Sequence, residues 1–265
     1  MNMYRHELRC YRKNTLLWIC SLCLGAVFMF WMFPAFASNT VAISEVLRNY
    51  PEAVQKAFGL SADRIGTVTG FYSFIITFFM VCGAVQATAL GMGVLAKETT
   101  GKTADFLLTK PLPRARVLTA KLAAVWTCVT LTALAFVAAT LSMALAVSPA
   151  ALDWTPFMLM SLAFYFVQII FLTIGFAMGA IVPKIRSVLP VAMSTVFGFF
   201  IVGTVASALG QTKLYYLSPF KYFDTTAILE TSAYRPSYTA MAALVTLLCV
   251  LAGYAVYGRR DIRAS

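Results

Sequence analysis

An all-α integral membrane protein with six transmembrane helices is what this sequence predicts, and three observations predict it. Of the 265 residues, 60% are hydrophobic and only 12% are charged, a balance that a soluble domain of this length does not carry. Six apolar runs contain no charged residue, at 15–37, 67–96, 122–151, 157–182, 188–208 and 238–257, and each reaches the roughly 20 residues that a helix needs to cross a bilayer. The basic residues, finally, are segregated between alternate connections. One side collects Arg5, Arg9, Arg12 and Lys13, the six Lys and Arg of 97–121, Lys184 and Arg186, and Arg259, Arg260 and Arg263. The other holds only Arg48, Lys56, Arg64, Lys213, Lys221 and Arg235, offset by Glu45, Glu52, Asp63, Asp153, Asp224 and Glu230. The whole net charge of +11 therefore lies on the first side, which the positive-inside rule makes cytoplasmic, with both termini on it. The basic excess reports topology and contact with anionic membrane lipids, and nucleic-acid binding is not called for.

The cytoplasmic arm, 1–14, is amphipathic. Tyr4, Leu8 and Tyr11 share one face and Arg5, Arg9 and Arg12 the adjoining one, as expected of an elbow helix along the inner leaflet or of a plain basic anchor for the first span. That span ends in Ala35-Phe36-Ala37, which looks like a signal-peptidase site, but its apolar stretch is longer than a signal core, so the span is expected to be retained. In the outer segment, 38–66, Pro51 opens and Gly59 closes a short helix, PEAVQKAFG. The second run is too long for the bilayer core alone, so it tilts or projects into the cytoplasm.

It leads into the cytoplasmic loop 97–121, KETTGKTADFLLTKPLPRARVLTAK. Glu98 and Lys102 stand at i,i+4 in the favourable order, Phe106, Leu107 and Leu108 supply an apolar edge, and Pro111 and Pro113 stop the helix. A short basic helix at the membrane surface, tied to two spans, is a handle on which a soluble partner can push. Ala96 to Thr103 also matches a permissive phosphate-loop pattern, but no nucleotide domain has room here, so Lys102 and Thr103 read as an ordinary helix turn.

A short outer turn around Trp154 joins spans three and four, and Gly175 and Gly179 form a G-x-x-x-G pair suited to packing inside the bundle or, less readily, between subunits. The inner loop Pro183-Lys184-Ile185-Arg186 is a second, smaller surface for a cytoplasmic partner. In the outer segment, 210–237, the aromatic residues Tyr215, Tyr216, Phe220, Tyr222 and Phe223 predict a helix or hairpin dipping into the membrane interface. The last span stops at Gly258-Arg259-Arg260-Asp261-Ile262.

An intramembrane enzyme is disfavoured: the single histidine, His6, is in the polar arm, the six runs hold no Asp or Glu, and no catalytic constellation appears. An ion-coupled carrier is disfavoured by the same lack of ionisable groups. None of the six cysteines falls in an outer loop, so no structural disulfide is expected, and Cys20 and Cys23 read as packing residues. Gln86 and Gln168 are polar side chains within spans, more suited to hydrogen bonding between helices than to lining a path.

KTADFLLTKPLPR followed by Lys121, YLSPFKYFD before the last span, and the terminal GRRDI, in this order on six spans, resemble the permease subunits of type-2 ATP-binding-cassette (ABC) exporters over essentially the whole chain. The resemblance implies a single permease domain, 1–265, paired with a second copy or a related permease and with two ABC ATPase subunits. ATP and Mg would sit on those ATPases and no cofactor on this chain, which would have no catalytic site. It makes Glu98 to Thr109 the coupling helix between helices 2 and 3, and Glu98, Phe106, Leu107, Leu108, Pro111, Arg114, Lys184 and Arg186 the ATPase contacts. The glycine of Gly101-Lys102-Thr103 stands one place earlier than in many relatives. The setting it implies is a bacterial plasma membrane. An accessory or signalling subunit that moves no substrate would have the same layout. Spans without charge favour apolar peptides, lipids or drugs as cargo.

Overall fold

The computed structural model describes residues 2–40, 45–46, 49, 64–100, 114–147, 152–182 and 187–259. Six long helices account for the predicted spans: α1 (Asn2–Ser38), α2 (Val68–Thr100), α3 (Arg114–Val147), α4 (Trp154–Ile181), α5 (Val188–Ala208) and, after two short helices, α8 (Pro236–Arg259). Between α5 and α8 come a 3-10 helix (Thr212–Leu217), α6 (Pro219–Tyr222) and α7 (Thr225–Thr231). All six long helices are apolar enough to cross a membrane. The end at which α1 starts and α8 finishes, with Arg5, Arg9, Arg12 and Arg259, is called the basic end below, and the other the far end.

Helices α2 and α4 form the centre and run side by side in the same direction, from Tyr72 stacked on Phe157 at the far end to Met92 against Gly179 at the other. Small residues let their backbones touch. A Cβ on Gly91 would stand 2.1 Å from the Leu172 carbonyl oxygen, and one on Gly175 2.3 Å from that of Thr88. The G-x-x-x-G pair thus faces α2 inside the bundle, where close approach replaces the hydrophobic drive that lipid cannot supply. Gln86 on α2 donates from Nε2 to Thr132 Oγ1 on α3 at 2.9 Å, the helix-to-helix role expected of it. Gln168 is fully buried with both amide atoms unpartnered. Helices α5 and α8 are peripheral, with Leu189, Met193, Phe197 and Ile201 along α5 and Leu244, Leu247, Leu248 and Leu251 along α8 exposed.

The N-terminal arm departs from expectation. It makes no separate elbow helix along the leaflet but is continuous with the first span in the single helix α1. Its aromatic face packs on α3: Tyr4 Oη and Thr127 Oγ1 are 2.9 Å apart, and Tyr11 is buried. The reason is that the Tyr4, Leu8 and Tyr11 stripe continues into Thr15, also buried, so one face finds protein over both halves. The short helix read at 51–59 lies outside the described residues.

Candidate functional site

At the basic end, α2 continues through Lys97–Thr100 and α3 begins at Arg114, so both borders of the stretch 97–121 are helical. Glu98 is on the last turn of α2 and Arg114 on the first residue of α3. Phe106, Leu107, Leu108 and Pro111 lie outside the described residues, as do Lys184 and Arg186 and the decoy pair Lys102 and Thr103.

Lys121, which the sequence places at the edge of the loop, is instead buried within α3, 2% exposed. Its Nζ donates to the Val94 carbonyl of α2 at 3.1 Å and stands 3.6 Å from Glu7 Oε1 of α1. One ammonium therefore ties three helices together where the loop leaves the bundle. Taking such a group out of water is tolerable only with partners of this kind. On the same turn of the bundle, Thr119 Oγ1 and Tyr254 Oη of α8 are 2.7 Å apart.

The far end holds the larger surprise. The segment after α5 does not stay at the surface. Gly210, with φ of +65°, turns the chain back after Leu209, since a residue without Cβ adopts the left-handed region freely. The 3-10 helix then descends until Ser218 Oγ donates to the Phe199 carbonyl of α5 at 2.8 Å. Phe199 lies about 13 Å along the axis from the end of α5. On the opposite wall, Thr225 Oγ1 is 3.2 Å from Thr77 Oγ1, again about 13 Å from the start of α2. In a hydrocarbon core of about 30 Å, the turn of this re-entrant segment is close to mid-depth.

The turn is held by its own sequence. Pro219 opens α6, whose Phe220 packs on Phe171 of α4 at a ring separation of 4.9 Å. Asp224 caps α7, its Oδ1 accepting from the N–H groups of Thr226 and Ala227. Its Oδ2 accepts from Lys221 Nζ at 2.8 Å, the two side chains being 22% and 12% exposed. The Lys221 ammonium and the hydrogen bonds from Thr226 and Ala227 offset the burial of the Asp224 carboxylate. On the way back up, Tyr234 Oη donates to the Leu159 carbonyl at 2.6 Å, and Arg64 donates to the Leu229 carbonyl at 2.9 Å.

A cavity of about 240 Å³ opens against this segment, lined among others by Ser207, Tyr215, Lys221, Asp224, Glu230 and Arg235. Beneath it, Lys221 and Asp224 also border a smaller void with Thr77, Met80 and Gly203. Lys221 and Asp224, which the sequence assigned to an outer loop, are thus half-buried in the bundle, whereas Lys213, Glu230 and Arg235 stay exposed. The signal was present in YLSPFKYFD: a proline-led turn, Lys and Asp at i,i+3, and aromatics at Tyr216, Phe220, Tyr222 and Phe223, which is buried-turn chemistry rather than a solvated loop.

Six apolar helices, a basic end closed by a buried ionic tie and a polar re-entrant turn reaching mid-depth define a polytopic α-helical membrane protein with polar groups in its interior, the architecture of a transporter subunit. The chain belongs to the ABC-2 family of transporter proteins, whose family model matches residues 1–262. Permeases of this family are generally non-catalytic and work with ABC ATPase subunits that hydrolyse ATP. No curated protein matches the chain significantly.

Proposed function

We propose that this chain is the permease subunit of an ABC exporter, pairing with a second copy or a related permease and with two ATPases that bind ATP and Mg in the cytoplasm. Membership of the ABC-2 family over residues 1–262 is the observation that carries the reading. The basic end faces the cytoplasm of a bacterial cell, 1–265 acts as one permease domain, and the chain itself does no bond chemistry. The coupling stretch is the loop between α2 and α3, with Glu98, Phe106, Leu107, Leu108, Pro111 and Arg114 toward the ATPase, and Lys184 and Arg186 forming a smaller contact.

The route from that loop to the far end is α2. This helix runs unbroken from Val68 to Thr100, touches the re-entrant segment at Thr77, and is gripped by α4 along its length. Thr77 and Thr100 are about 35 Å apart along the axis. A push at the loop therefore moves a rigid rod whose other half meets the re-entrant segment at Thr77 and borders the small void beneath the cavity through Thr77 and Met80, and the Lys121 tie carries α1 and α3 with it.

Coupling is expected to be apolar in origin. An exposed ion pair is worth about 0–1 kcal/mol, whereas burying a large apolar side chain contributes roughly 1.5–3 kcal/mol. Phe106→Asp should abolish co-purification of the ATPase at equal membrane abundance, and Lys102→Ala should leave most of it. Full retention by Phe106→Asp, or greater damage from Lys102→Ala, would sink this assignment.

A further inference from the structure

We propose that the cavity over the re-entrant segment binds a zwitterion, an ammonium and an anionic oxygen group on one small moiety, as in a phospholipid headgroup. The inference rests on the permease reading and names the chemistry of what that permease accepts.

Three observations carry it. First, the charges that border the cavity balance: Lys221 and Arg235 against Asp224 and Glu230. Lys221 and Asp224 form a half-buried pair at 2.8 Å while Glu230 and Arg235 are exposed, so a ligand of single net charge would upset the balance beside the half-buried pair, whereas a zwitterion can answer both signs at once. Second, the cavity has a buried polar group waiting for a partner. Ser207, 3% exposed, lines it with its Oγ unpartnered. In a bilayer-spanning protein such a hydroxyl costs free energy unless something fills its hydrogen bond. Third, size and aromatic content fit. The volume of about 240 Å³ is more than ten times the ~15 Å³ that one buried water requires. Tyr215 and Tyr238 line the cavity, aromatic rings of the kind on which an ammonium settles, with Lys221 Nζ 5.9 Å from the Tyr215 ring centroid.

The source can be a lipid or a free solute. Lipid is favoured by an apolar groove of about 390 Å³ between α4 and α8, lined by Phe166, Ile170, Phe223, Ala242 and Thr246 among others. Phe223 is the neighbour of Asp224, and its ring packs 5.4 Å from that of Tyr234, which lines the cavity, so headgroup site and groove flank one aromatic wall.

The test uses the full-length permease purified in maltoside detergent, without ATPase. Probes sharing a dodecyl tail and bearing phosphocholine, sulfate or trimethylammonium are titrated below their micellar concentrations, together with tailless glycerophosphocholine, and thermal stabilisation is read. The phosphocholine probe should act at tenfold or more lower concentration than either singly charged probe. Ser207→Ala should weaken it about three- to tenfold, and the paired change Lys221→Met with Asp224→Leu should erase the preference. Because the paired change can disturb folding, Ser207→Ala and Glu230→Gln provide milder arms, each expected to reduce the preference for phosphocholine. Equal action of glycerophosphocholine would assign the site to a soluble zwitterion, and action only with a tail to a lipid; either supports the proposal. Equal response to all headgroups, or a preference untouched by all three variants, overturns it. Binding is read on the permease alone, so failure of ATPase co-purification would overturn the permease reading and leave this result standing.

Discussion

Lys121 shows how much a single side chain can organise. Its side chain is 2% exposed and meets a carbonyl of α2 and a carboxylate of α1, so one ammonium links three helices. Removing one member of a buried pair strands the other, at a typical cost of about 3–5 kcal/mol. Lys121→Met should therefore lower the thermal midpoint in detergent markedly, and adding Glu7→Gln should restore part of the loss, because the orphaned carboxylate is gone.

Among elements, the pairing of α2 with α4 decides whether the bundle forms at all, and glycine position tests it. Gly175→Ala would place a methyl 2.3 Å from the Thr88 carbonyl oxygen, backbone that cannot swing aside, so it should destabilise strongly. Gly198 on α5 has nothing within 4 Å, and Gly198→Ala should be neutral or slightly stabilising, since alanine is favoured over glycine in a helix by about 1 kcal/mol. Thermal unfolding of the two variants side by side checks the contrast. The spans were legible because lipid imposes one rule on each of them: twenty or so apolar residues, with backbone hydrogen bonds closed internally. Their ends were less so. Thr119, Lys121 and the arm residues Tyr4 and Glu7 look like surface residues by type, yet α1 and α3 extend past the apolar runs, pairing with each other through Tyr4, Glu7 and Lys121 and with α8 through Thr119. The re-entrant turn was legible as aromatic and membrane-dipping but not in its depth, because depth is set by partners on α2, α4 and α5 that no local pattern names. The half-buried cation Lys221 was therefore counted on the outer surface, and the cavity it borders had no sequence signal beyond those of the turn itself.

For the molecule as a whole, the orientation in the membrane is the claim on which coupling and cargo both depend. The basic end gathers Arg5, Arg9, Arg12 and Arg259, and the far end has a near balance of charge, so the proposed orientation, with the basic end in the cytoplasm, is the one expected from the cost of moving several cations across the bilayer. Two positions report it directly. Cys10 is an exposed native thiol at the basic end, and Lys213 is exposed at the far end, on the 3-10 helix. With Cys20, Cys23, Cys82, Cys128 and Cys249 changed to alanine, Cys10 should react with a membrane-impermeant maleimide only after the cells are opened. When Cys10 is also removed, Lys213→Cys should react with the same reagent on intact cells. Labelling of Cys10 from outside, or protection of position 213 until lysis, would invert the molecule. The loop between α2 and α3 would then be out of reach of any cytoplasmic ATPase, while the cavity at the re-entrant segment would open inward.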